Sequence, residues 1–177
     1  MSKLRSGNGC ALVLADLSSA KSFSKALAKA WRQMLGDAKA VLKRNWCFFL
    51  EGPLGSGKSF LVREFLKACG WKAAVNSPSF SLREDYQLTS GHVAHLDLYR
   101  LKTPYELVDL GVEELFSAPI TSFIEWPTTL AKWLPEPDIT LHLNYISSSP
   151  GRSLNVVNHT LEGQELIKLC LENFAAR

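Results

Sequence analysis

Eight consecutive residues, Gly52-Pro53-Leu54-Gly55-Ser56-Gly57-Lys58-Ser59, complete the phosphate-loop pattern G-x-x-x-x-G-K-[ST]. Glycines at these positions let the backbone bend closely around phosphate oxygens. The amides of the turn and the start of a following helix stabilise the negative charge. Lys58 has the reach for the β and γ phosphates of a nucleoside triphosphate. Ser59 offers a hydroxyl to magnesium, whose octahedral shell is completed by phosphate oxygens, water and a carboxylate.

Two carboxylates are candidates for that shell. Phe123-Ile124-Glu125 ends one apolar run and His95-Leu96-Asp97 another. In a parallel sheet the C-terminal strand edges surround the nucleotide, so Glu125 and Asp97 would both face the loop, and spacing leaves open which one touches magnesium. The pair favours ATP hydrolysis or phosphoryl transfer over passive binding. Ser77-Pro78-Ser79-Phe80-Ser81 lies where a mobile segment would sense the terminal phosphate, and Trp126-Pro127 would shape the nucleotide rim or a partner surface.

The elements that must position these groups follow from periodicity. Trp46–Leu50 is short and aromatic, as a buried strand should be, and leads directly into the loop. Gly57–Cys69 reads as the helix after it, with Leu61, Phe65 and Leu66 toward the sheet and Gly70 as its stop. Upstream, Phe23, Leu27, Ala30, Trp31 and Met34 recur at helical spacing and predict a helix over about Ser19–Leu35. Downstream, Phe80–Leu88 and His92–Leu98 predict a hairpin across Thr89-Ser90-Gly91. Thr103-Pro104 opens a short helix over Tyr105–Leu110, and Glu113–Phe116 a further turn. Ile120–Glu125 is a buried strand, Ile139–Ile146 and Ser153–Asn158 a late strand pair around Ser147–Gly151, and Glu162–Phe174 a final helix. The expected fold is α/β: a phosphate-loop NTPase with a mixed, mostly parallel sheet flanked by helices, in one domain over residues 1–177 with a basic helical segment over about 1–45.

Charge is unevenly divided. Nine Lys/Arg against two Asp/Glu give residues 1–46 a formal +7, and eleven against fifteen give residues 47–177 a formal −4. Lys21, Lys25, Lys29 and Arg32 lie on the polar side of the first helix, either as a solvated face or as a surface for RNA or an acidic partner. Apolar stretches such as Ala11–Ala15 fall far short of a membrane span, and no signal-peptide pattern opens the chain, so a cytoplasmic protein is expected. Cys10, Cys47, Cys69 and Cys170 are too scattered for a zinc or redox pair, and the four histidines make no ligand pattern.

The chain resembles the bacterial tRNA threonylcarbamoyladenosine biosynthesis ATPases of the TsaE (YjeE) family. The resemblance runs through Leu50–Ser59, Asn76–Ser81, Asp97-Leu98-Tyr99-Arg100-Leu101, Glu106-Leu107 with Gly111, and Ile124-Glu125-Trp126-Pro127. It is strong over about residues 45–135 and includes Gly151-Arg152 more weakly. It implies an ATPase, using ATP and Mg2+, that supports turnover of the TsaD and TsaB proteins. Those proteins transfer threonylcarbamoyl to adenine 37 of tRNA, and tRNA would meet this chain through the complex. Carried over, Lys58 binds phosphate, Ser59 and Glu125 surround magnesium, Asp97 is the essential switch or catalytic carboxylate, and Ser77–Ser81 is the first switch. Trp126 joins the site, and the early helix contributes on the adenine side, with Ser19 and Ser22 as candidates. The family loop often reads Gly-Asp-Leu-Gly-Ala-Gly-Lys-Thr, so Pro53 removes a backbone donor and an acidic side chain, while Ser59 retains the hydroxyl. The rival readings are a small-molecule kinase with an acceptor pocket near Tyr99 and Arg100, and a noncatalytic, nucleotide-controlled binding module.

Overall fold

A computed structural model describes residues 5, 6, 9–36, 44–117, 119–147 and 149–176. Among the described residues eight strands form one sheet: β1 (Arg5–Ser6), β2 (Gly9–Leu14), β3 (Trp46–Glu51), β4 (Arg83–Leu88), β5 (Gly91–Asp97), β6 (Ile120–Glu125), β7 (Ile139–Ile146) and β8 (Ser149–Asn158). Their spatial order is β1-β2-β8-β7-β3-β6-β5-β4. The centre, β7-β3-β6-β5, is parallel, and antiparallel pairs extend it on both sides, ending in β1 at one edge and β4 at the other.

Every residue of β3 from Trp46 to Leu50 is buried because both faces of this central strand are covered. Side chains alternate across a strand, and β3 divides accordingly. Trp46, Phe48 and Leu50 face the core under α1 (Leu17–Leu35), α2 (Lys58–Ala68) and α5 (Leu161–Ala175). Cys47 and Phe49 face a smaller core closed by α3 (Tyr105–Asp109), α4 (Glu114–Ser117) and two short 3-10 turns after β6. A run of ring contacts passes from Trp31 of α1 through Phe65 of α2 and Phe123 to Phe48, with successive centroids 5.3, 4.8 and 4.6 Å apart, the first two edge-on and the last stacked. Trp31 Nε1 donates to Thr121 Oγ1 at 3.0 Å, so this large side chain also satisfies its polar atom.

Asp138, buried at the start of β7, fastens the lower ends of the elements. It accepts from the Cys47 amide at 3.0 Å and the Thr160 hydroxyl at 2.8 Å, and pairs with Arg44. Thr160 in turn caps α5 by accepting from the Gly163 amide.

Several boundaries differ from those expected. The basic segment before residue 45 holds two strands as well as α1, and residues 37–43 of its connector lie outside the described residues. Phe80–Leu82 is a turn rather than the start of β4: the Leu82 amide donates to Pro78 O at 2.7 Å, and Leu82 takes a left-handed φ of 63°. The late pair is longer than expected, because β8 begins at Ser149, past an irregularity at Tyr145/Ile146. Lys21, Lys25, Lys29 and Arg32 are exposed along α1, but Lys21 lies 3.7 Å from the buried Glu64 carboxylate of α2.

Candidate active site

Parallel register brings the two carboxylates to the phosphate loop. Leu50, just before the loop, pairs with Glu125, and Glu125 pairs with Asp97 on the next strand. Both acids are buried, as is Lys58 at the first position of α2. A single cleft is lined by Gly55, Gly57, Lys58, Ser59, Asp97, Glu125 and Trp126, together with Leu54, Phe60, Ser77 and Ser79.

Within the loop, Lys58 Nζ donates to Gly52 O at 2.9 Å and Pro53 O at 3.1 Å, and lies 3.9 Å from the Trp126 ring centroid. Burial pushes the Lys58 ammonium pKa down from the ordinary lysine value, while the Glu125 and Asp97 carboxylates act in the opposite direction. Pro53 thus brings no amide but supplies a carbonyl, which also accepts from the Ser56 amide at 3.1 Å. Ser56 Oγ is buried with no hydrogen-bond partner among the described residues.

A line of hydroxyls joins α2 to β5. Ser59 Oγ is 3.1 Å from Ser77 Oγ, which is 2.9 Å from Ser79 Oγ, and Ser79 donates to Asp97 Oδ2 at 2.9 Å. The other Asp97 oxygen accepts from the Tyr99 amide at 3.0 Å. The segment singled out as a switch is therefore tied to the candidate metal hydroxyl at one end and to the candidate catalytic carboxylate at the other. Glu125 Oε1 is 2.8 Å from His95 Nε2, a fully buried pair that fixes the orientation of the carboxylate. The histidines make no ligand pattern in the sequence, and only the position of His95 two residues before Asp97 on the same strand marks it.

Trp126 leaves β6 in a left-handed conformation, φ 58° and ψ 47°, an arrangement costly for a bulky residue and held only where its surroundings demand it. Its amide donates to Leu50 O at 3.1 Å, and Tyr99 packs on its ring with centroids 4.9 Å apart. Arg100 sits over exposed Phe80 at 4.5 Å. Tyr99 and Arg100 are thus engaged in ring contacts. Glu106, in the matching stretch after them, accepts from the Thr103 hydroxyl and the amides of Lys102 and Thr103, which holds its carboxyl below the usual glutamate range and ties down the start of α3.

A second, mainly apolar cavity adjoins the loop, lined by Leu14, Asp16, Leu17, Ala20, Phe60 and Arg152 among others. The early helix does reach it, but through Leu17 and Ala20. Ser19 instead completes a capping box with Asp16, accepting from the Asp16 amide while its own amide donates to the Asp16 carboxylate. Neither Ser19 nor Ser22 lines the cavity. Sequence reasoning missed Leu14 and Asp16 and gave Arg152 no role; they come together from the end of β2, the cap of α1 and β8.

The donor set suits magnesium. Among the described residues no group of three or more His, Cys, Asp or Glu side chains could hold a metal. One hydroxyl and one or two carboxylates beside a phosphate loop is nonetheless the sparse, all-oxygen environment magnesium uses when phosphates and water complete its shell. Among the described residues no helix is long and apolar enough to cross a membrane.

Comparison with known proteins bears on this geometry. The model of the family described as threonylcarbamoyl adenosine biosynthesis protein TsaE matches residues 16–154. The chain is 37% identical to the tRNA threonylcarbamoyladenosine biosynthesis protein TsaE of Rickettsia bellii over 139 residues, covering 78% of this chain and 88% of the relative. It is 32% identical to the protein of the same name from Haemophilus influenzae over 147 residues, covering 83% and 85%. The crystal structure of Bacillus subtilis YdiB superimposes with a TM-score of 0.71 at 18% identity, over 97% of each chain, and shares the fold.

Proposed function

The chain belongs to the TsaE family, and from that premise we propose that it is a magnesium-dependent ATPase supporting N6-threonylcarbamoyl modification of adenine 37 in tRNA. Hydrolysis of ATP would drive turnover of a transfer complex formed by TsaB and TsaD proteins. The observation carrying this reading is the convergence of Lys58, Ser59, Asp97 and Glu125 on one cleft at the C-terminal ends of the central parallel strands.

In this reading the loop amides and Lys58 hold the phosphates and stabilise charge that develops on them. Lys58 reaches the terminal phosphate by exchanging its hydrogen bonds to Gly52 O and Pro53 O for phosphate oxygens. Magnesium, when bound, neutralises charge on the terminal phosphates. Ser59 and Glu125 would hold it, with His95 fixing the rotamer of Glu125. Asp97 orients the attacking water or passes the state of the site to Ser77–Ser81 through Ser79. The apolar cavity beside Gly55–Gly57 accepts the base, between Leu17 and Ala20 of α1 and the Pro150–Arg152 end of β8. The exposed lysines of α1 favour association with tRNA carried by the complex.

The test is phosphate release from ATP by the purified chain, alone and with TsaB and TsaD, together with threonylcarbamoylation of tRNA over several cycles. Turnover should rise in the complete mixture and vanish with Lys58→Ala, whose nucleotide binding should also weaken. Unchanged turnover in a folded Lys58→Ala protein would sink the assignment. Appearance of a phosphorylated metabolite in place of inorganic phosphate would favour the kinase instead.

A further inference from the structure

Three consecutive carbonyls of the phosphate loop are held from outside by the hairpin of β7 and β8. The Tyr145 hydroxyl donates to Leu54 O at 2.6 Å, Arg152 Nη2 lies 3.5 Å from Gly55 O, and Arg152 Nε donates to Ser56 O at 3.2 Å. The guanidinium is itself fixed. Its Nη1 donates to Pro150 O and Gly151 O at 2.8 and 2.9 Å, and its carbon sits 4.5 Å from the Tyr145 ring centroid. Loop and hairpin are pressed together: a Cβ on Gly52 would stand 2.0 Å from Leu143 O, and one on Gly55 would stand 2.8 Å from the Tyr145 hydroxyl.

A trans peptide points its carbonyl and its N–H in opposite directions. Carbonyls drawn toward the hairpin therefore turn the amides of Gly55, Ser56 and Gly57 away from it. The Ser56 amide closes on Pro53 O, which leaves the Gly55 and Gly57 amides to carry the effect. We propose that Tyr145 and Arg152 are positioning residues for the phosphate site: they lock the peptide planes of the loop so that its donors are aimed before a nucleotide arrives. Preset donors bind more tightly because the ligand does not have to order them. The proposal rests on the nucleotide reading above. Neither side chain needs to touch a phosphate, and the lock depends on the forked geometry of arginine, which lysine lacks.

The experiment measures the affinity of a fluorescent magnesium–ADP analogue, steady-state ATP turnover in the complete mixture, and urea unfolding for wild type, Tyr145→Phe, Arg152→Lys and the double variant. Each single variant should weaken nucleotide affinity by about two- to tenfold, the loss expected for one or two hydrogen bonds. For Tyr145→Phe, whose side chain lines neither cavity, the turnover number at saturating ATP should stay within about threefold, since the lock acts on binding. The double variant should lose less than the product of the two, because both residues serve one loop geometry. Wild-type affinity in both single variants would overturn the proposal, as would a lowered urea midpoint with unchanged affinity of the folded protein. Wild-type affinity in Arg152→Lys beside weakened binding in Arg152→Met would assign the effect to charge and equally overturn it. If Arg152→Lys does not fold, Tyr145→Phe decides, since it removes one hydroxyl from a half-exposed side chain. Lys58→Ala separates the two levels: retained binding there defeats the nucleotide reading, whereas lost binding there with unaffected Tyr145 and Arg152 variants defeats only the lock.

Discussion

Replacing Asp97 with asparagine separates the charge of this carboxylate from its shape. Its two oxygens accept from the Tyr99 amide and the Ser79 hydroxyl, and the residue is 5% exposed. Asparagine keeps an acceptor for the Tyr99 amide, and the Ser79 hydroxyl can rotate to accept from the new NH2 group. Hydrogen bonds to ionised groups contribute about 1.5–3 kcal/mol against about 0.5–1.5 for neutral ones, so two weakened bonds cost about 2–3 kcal/mol. Relief from burying a charge offsets part of that, and a domain with about 5–15 kcal/mol of stability remains folded. Loss of a group that orients the attacking water should lower turnover by about 10²–10⁴-fold. Nucleotide affinity should change far less, because Lys58 and the loop are intact. The assay pairs phosphate release in the complete mixture with nucleotide titration and a urea melt on the same preparation. Asp97→Ala serves as the harsher companion, since it leaves two donors without their acceptor. Turnover of Asp97→Asn within about threefold of wild type would refute the role given to this carboxylate, since that role requires at least about a hundredfold loss.

Gly52→Ala and Gly57→Ala both place alanine at positive φ, 136° and 106°, but only the first drives a Cβ into backbone, since at Gly57 the nearest atom is Leu143 Cδ2 at 4.0 Å. Gly52→Ala should therefore destabilise by about 1–3 kcal/mol more in urea melts; equal losses would count against the close seat on β7. Neutralising Lys21, Lys25, Lys29 and Arg32 together should weaken association with the tRNA-bearing complex, most at low ionic strength, and unaltered binding at low salt would reduce those charges to a solvated face. Burial pushes the Cys47 and Cys69 thiols up from 9.0 to about 12. Their protonated forms are favoured in the folded state, so their contribution is complete below pH 9 and is lost as pH rises toward 12. Urea midpoints that stay level across that window would contradict the burial of these thiols.

The candidate site residues that follow a local pattern are legible in the sequence. Gly52–Ser59 between an apolar strand and a helix, and the acids ending two other strands, follow from spacing and periodicity alone; parallel register then brings Glu125 and Asp97 side by side. What the sequence leaves without a role depends on partners distant in the chain. Arg152 reaches Ser56 across 96 positions, and Asp16 and Leu14 join the same cavity from β2 and its junction with α1. Strand β2 was concealed because Ala11–Ala15 is continuously apolar and lies in a basic stretch, so no alternation announced it. Phe80–Leu82 misled for the opposite reason: aromatic and branched residues suggest a strand, but Pro78 O captures the Leu82 amide and turns the chain first. Ser19 looked like a free hydroxyl near the base and is consumed as a helix cap.

The margins of the sheet have a consequence for how this protein can associate. An unpaired strand edge is a template onto which another chain can add. Here β4 opens with Arg83-Glu84-Asp85, three charged residues in succession. That edge is a poor acceptor for an incoming strand, which guards against stacking of copies through it at high concentration. A partner approaching the rim of loops would meet the exposed rings of Phe80 and Tyr99 instead, and contact there would bear directly on the candidate cleft.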